Sequence, residues 1–208
     1  RREVFRKDII MKAIKNPTEL ANRAAQEFKA CYQQDLVSVV LFGSAVGINF
    51  DPGKSNIDLL VVLKTMTLAE IEKSEKIQAT LIKSRFSRPL FMDTAYIKRS
   101  LDSFPIEFLD MKQNHAVVYG LDIFEDMVIE KHNLRLQVER ELKGKWLHLM
   151  GLWLSLKGDP KALHEFYHVS LNEFSALFRA LLYLKDIAVP EERPKIFSSV
   201  CEAYGVKH

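Results

Sequence analysis

Gly43 and Ser44 close the apolar run 36–42, and Asn56, Ile57 and Asp58 open a second apolar run ending at Leu63. A glycine without a side chain lets backbone N–H groups approach a phosphate, and the Ser44 hydroxyl adds a donor. Residues two apart in a strand face the same side, so Asn56 and Asp58 point together while Ile57 and Leu59 face a core. Their oxygens can share one ion, and phosphate and metal would then meet between turn and strand. Asn56 supplies an amide oxygen but not the charge that offsets dehydration of a small hard cation. Decay from an aspartate, a natural one-metal site and an engineered substitution fit that residue equally.

The surrounding elements must hold this pair of segments. Pro17 begins an amphipathic helix marked by Leu20, Ala24 and Phe28. The runs 36–42 and 56–63 read as strands, and Gly47, Asn49, Asp51, Pro52 and Gly53 supply turn chemistry for a hairpin-like pairing. Residues 67–86 read as one helix covering a sheet face, 90–92 as a short strand, 94–101 as a short helix, 105–111 as a third strand and 117–120 as an edge. Leu134, Val138, Leu142, Leu149 and Trp153 mark a long amphipathic helical segment, interrupted by Gly144 and Gly151. Asp159 and Pro160 suit the N-cap and first position of a second long helix. Its apolar stripe is Leu163, Phe166, Tyr167, Phe174, Leu177, Phe178, Leu181 and Leu182, and a shorter helix runs from Pro194 to Tyr204. The expected class is α+β: a small mixed sheet with covering helices over residues 1–125, then an all-helical bundle domain over 126–208.

The Gly-Ser turn followed by an acidic strand resembles the signature of the polymerase-beta-like nucleotidyltransferase superfamily. The order of sheet and helical halves is similar to that of small bacterial aminoglycoside and lincosamide nucleotidyltransferases. The resemblance implies transfer of a nucleoside monophosphate from a nucleoside triphosphate to a hydroxyl, on a small molecule or a protein, with Mg²⁺ held by carboxylates. It implies that Ser44 holds the terminal phosphates and that Asn56 and Asp58 occupy the acidic pair. A third acid must come from a following strand. Glu107 is the candidate, on the face opposite Phe104, Ile106 and Phe108; Asp93 and Asp110 are weaker ones. The same resemblance lets Lys54 or a basic residue of the charged run 139–145, Arg140 or Lys143, meet the triphosphate. Glu139 or Glu141 would act as general base. Because Asn56 departs from the acid expected there, a second reading is a non-catalytic nucleotide-binding or partner-regulating protein on the same fold.

Other features carry blander readings. The run 139–145 also fits a solvated helix face with pairs such as Glu139 with Lys143. Trp146 and Trp153 read as packing residues, and His164 with His168 as surface or interface histidines without a third ligand. A net charge of +3, evenly spread, gives no clear sign of nucleic-acid binding. Cys31 and Cys201 lack ligand or disulfide spacing and read as buried thiols in a reducing cytoplasm. No apolar run reaches the roughly 20 residues that span a bilayer, and the start of the chain lacks the apolar core of a secretion signal. The expectation is a cytoplasmic protein, for which a homodimer is compatible.

Overall fold

The computed structural model describes residues 13–156, 159–162, 164 and 174–207. Helix α1 (Pro17–Tyr32) starts where Asn16 accepts the Glu19 N–H at 3.0 Å and Pro17 takes the first turn. Ala21, Ala24, Ala25, Phe28 and Tyr32 give it a buried face. Strand β1 (Leu36–Phe42) runs antiparallel to β2 (Asp58–Leu63), with Phe42 opposite Asp58. The chain continues through α2 (Leu68–Lys73), α3 (Glu75–Lys83), β3 (Leu90–Asp93), α4 (Thr94–Ser100), α5 (Pro105–Gln113) and β4 (His115–Gly120). β3 lies parallel to β2 and β4 antiparallel to β1, giving the sheet order β3-β2-β1-β4.

Both sheet faces are covered, which is why β1 and β2 read as nearly unbroken apolar runs. One face, with Val39, Leu41, Leu59 and Val61, packs against α1 and Leu81 of α3. The other, with Val40, Leu60 and Val62, packs against α5, α6 (Lys131–Leu156) and α7 (Ser175–Leu184), through Phe108, Leu134, Val138, Leu177 and Ala180. Helix α8 (Arg193–Tyr204) closes on α7 through Leu182, Ile196 and Val200. Among the described residues no helix is long and apolar enough to cross a membrane.

Several expectations change. Residues 105–113 form helix α5, not a strand. Pro105 presets its first turn, the buried Gln137 side chain accepts the Ile106 N–H at 2.8 Å, and Ile106, Phe108, Leu109 and Met111 are buried together, which period-two alternation does not allow. The second strand begins at Asp58, because Ile57 bridges to Phe86 instead of β1; Asn56 is an exposed loop residue. The helix expected over 67–86 breaks at the buried Ser74, whose hydroxyl bonds the Ile71 carbonyl at 3.0 Å. Gly144 and Gly151 do not interrupt α6, which is continuous over 26 residues. Trp146 and Trp153 are exposed rather than packed. Cys201 is buried, but Cys31 is only half-buried, and both are free. Asp159 caps as expected, accepting the N–H groups of Lys161 and Ala162 at 3.1 Å. Leu163, Phe166, Tyr167 and His168 lie outside the described residues.

Candidate functional site

Because Phe42 pairs with Asp58, the turn after β1 folds directly over the first residue of β2. Gly43 has φ +73°, and a Cβ there would sit 3.4 Å from Asp58 Oδ2, so the turn passes against the carboxylate where only glycine is unstrained. The Gly43 N–H donates to the Asn114 carbonyl at 3.0 Å. That amide is therefore already engaged. Burial pushes the Asp58 carboxyl above its ordinary value, while a hydrogen bond with the Ser87 hydroxyl opposes the rise.

Ser87 reaches Asp58 because the chain after α3 pairs with the loop: the Ile57 N–H donates to the Arg85 carbonyl and the Ser87 N–H to the Ile57 carbonyl, both at 3.0 Å. Arg85 is buried at φ +65°, and its guanidinium donates to the carbonyls of Pro52 at 2.8 Å and Ser55 at 2.6 Å. Asp51 completes the turn by accepting the Gly53 and Lys54 N–H groups. The loop between the strands is thus held at its base, with the Lys54 and Asn56 side chains exposed.

Glu107 sits on α5, not on a strand, and its Oε2 accepts from Gln137 Nε2 at 2.8 Å. It lines a cavity of about 340 Å³ together with Phe42, Asp110, Glu141 and Lys145. Asp58 pairs with Phe42, and Phe42 lines the same cavity as Glu107. Among the described residues no three His, Cys, Asp or Glu side chains gather as a metal cluster. Asp58 is the carboxylate that the Gly43 turn lies against.

Asp93 is at the opposite end of the sheet, paired with Leu63, and caps α4. The Tyr96 and Met66 N–H groups hold its carboxyl below the ordinary range, the mark of a cap. Asp110 forms an ion pair with Arg179 of α7, Nε to Oδ1 at 2.7 Å. Arg179 also lines a second cavity, about 640 Å³, with Asn49, Asn114, Tyr183 and Glu191. The pair therefore links a residue lining one cavity to a residue lining the other. Asn49 Nδ2 bonds the Glu191 carbonyl at 2.9 Å, joining the loop after Ser44 to the segment before α8.

Arg140 and Lys143 enter neither cavity. Lys143 donates to Glu139 at 2.6 Å and Arg135 pairs with the same carboxylate on the exposed side of α6, while the exposed Arg140 lies 3.8 Å from the half-buried Glu141. This is the solvated ladder that their spacing allows, and Lys143 holds the Glu139 carboxyl low. Sequence reasoning missed Arg85, Ser87, Gln137 and Arg179. Gln137 and Arg179 each interrupt an otherwise apolar helix face, which is the signal that could have found them; Arg85 and Ser87 carry no such signal.

The whole arrangement is similar to a solved structure, spectinomycin adenyltransferase AAD(9) from Enterococcus faecialis with ATP and spectinomycin. The likeness covers 91% of each chain at a TM-score of 0.51 and 14% identity. The likeness is one of fold, a mixed sheet with covering helices followed by helices. Weaker likenesses are to the structure of a tri-AMPylated Shewanella oneidensis HEPN toxin in complex with MNT antitoxin (17% identity, 68% of this chain and 97% of that one, TM-score 0.32) and to a toxin–antitoxin with AMP-PNP (16%, 66% and 96%, TM-score 0.33). Scores this low add nothing to the fold assignment. No family profile and no curated protein sequence matches the chain.

Proposed function

We propose that this nucleotidyltransferase fold transfers a nucleoside monophosphate from a nucleoside triphosphate to a hydroxyl acceptor. The observation that carries the proposal is the seating of the Gly43 turn on the Asp58 carboxylate, which would bring a phosphate and a cation to one point. The acceptor oxygen attacks the α-phosphorus, the bond to the β-phosphate oxygen breaks, and pyrophosphate leaves. Mg²⁺ would supply charge neutralisation on the phosphates, held first by Asp58; the Asn56 amide, exposed in the loop, and Glu107, which accepts a hydrogen bond from Gln137, would have to turn toward it to add oxygens. Ser44 donates to the terminal phosphates, and Arg179 is better placed than Lys54, Arg140 or Lys143 to join it, since it lines the cavity beside Asn114 and Asn49. Glu141 takes the acceptor proton in preference to Glu139, because it faces the cavity while Glu139 is exposed and held in its ionised form by Lys143. Glu107 and Glu141 face this cavity together with Lys145, while Asp110 is neutralised by Arg179, so the lining offers both signs of charge to a hydroxylated acceptor.

Asn56 favours a second reading, a nucleotide-binding protein that no longer turns over. Labelled ATP, GTP, CTP and UTP with Mg²⁺ or Mn²⁺, offered to the wild type and to Asn56→Asp, separates the two. Transfer by both proteins that stops with EDTA supports the enzyme, recovery in Asn56→Asp alone supports the second reading, and absence of both binding and transfer in either protein rejects both.

A further inference from the structure

Helix α6 has two apolar sides where one would suffice. Leu134 and Val138 are buried and Leu142 packs beside them, and farther along Leu149, Leu152 and Leu156 are half-buried on the same side of the helix. From Trp146 to Leu156 the sequence has no charged residue. Yet Trp146, Leu147, Met150, Trp153 and Leu154 are between 46% and 71% exposed. At about 100° per residue these five occupy roughly a third of the helix circumference, next to the inward side. Leu147, Met150 and Leu154 are spaced as the central seam of a coiled coil, with Trp146 and Trp153 flanking it on one side and Gly144 and Gly151 on the other. Space is open beside both glycines.

We propose that this stripe is the surface through which two copies of the chain pair, α6 against α6. A seven-residue spacing of glycine, tryptophan and leucine matches another helix of the same pitch better than a flat or globular surface. A second copy of the same helix supplies the complement. In a parallel pair the tryptophan flank of one helix meets the glycine flank of the other, where there is room for an indole. The stripe from Trp146 to Leu154 itself carries no Asp, Glu, Lys or Arg, and two of the cations just before it, Arg140 and Lys143, contact Glu141 and Glu139 of their own helix. Two indoles and three aliphatic side chains amount to roughly 500 Å² per copy, so a pair would bury about 1,000 Å², near the lower bound for a specific interface. That is also toward the upper end of what a monomer leaves exposed in one apolar patch.

The two tryptophans are the only ones in the chain, so intrinsic fluorescence reports on the stripe directly. Light scattering and tryptophan emission of the full chain are followed from roughly 1 to 200 µM, a range chosen for a micromolar association. Dimer mass at the upper end, with a blue shift that grows as dimer forms, is the expected result. Leu147→Glu with Leu154→Glu should weaken pairing at least tenfold and keep emission red, with unchanged far-UV circular dichroism. Leu147→Gln with Leu154→Gln gives the same readout if the acids perturb the helix. Monomer mass throughout overturns the proposal, whether emission stays red because the stripe is bare or blue because another part of the chain covers it. A dimer that survives both double variants overturns it as well, since pairing would then use another face.

Discussion

Burial raises the proton affinity of Asp58, so the carboxylate suited to a cation is costly to keep charged without one. Its folded value lies above its unfolded value, so the native state binds the proton more tightly. The resulting stability is fully present below the unfolded value and is lost as pH rises through the folded one. Asp58→Asn should therefore stabilise the metal-free protein relative to wild type at pH 7, and this advantage should disappear as pH falls through the window just above the ordinary carboxylate range. Urea unfolding at pH 7 and pH 4 measures the difference, and a variant less stable than wild type at pH 7 would contradict the cause assigned to the shift. The same substitution should abolish stabilisation by Mg²⁺ and lower transfer by at least about a hundredfold, as expected when charge stabilisation of a transition state is lost.

Loops and helices set what these residues can do. Arg85 fastens the 51–55 loop from inside, so Arg85→Ala should cost about 2–4 kcal/mol through the loss of two charge-assisted hydrogen bonds to the loop carbonyls. Its loss should also loosen Asn56, seen as faster amide exchange over 51–57. Gly144 lies inside α6 with open space around it, so Gly144→Ala should raise stability by about 0.5–1 kcal/mol in urea. Helix α5 shows how far local pattern reaches. Phe104, Ile106 and Phe108 alternate as a strand would, but the next apolar residues, Leu109 and Met111, are buried too. A segment wedged between sheet and helices can bury several sides, so its apolar period no longer names its structure.

Across the whole molecule, the helical segment after Glu125 shares one core with the sheet, and the Asp110–Arg179 pair ties the two near the site. Arg179→Ala should destabilise the protein by about 1–3 kcal/mol, because a half-buried carboxylate loses its partner. If Arg179 also meets the triphosphate, the variant should raise the KM for nucleotide more than it lowers kcat; Lys54→Ala should leave both nearly unchanged. The sequence alone determined the turn, the strand into Leu63, the helices begun near Pro17 and Pro194, and hence the fold class, because each depends on neighbours within a few residues. Tertiary structure decided the rest of the site. It moved Asn56 out of the strand, placed Glu107 on a helix, sent Arg140 and Lys143 to solvent and brought Arg179 to Asp110 across 69 positions. Such a pairing leaves no periodic trace in a chain, since it arises only when two elements bury their apolar faces against the same sheet and the polar groups left between them must find each other.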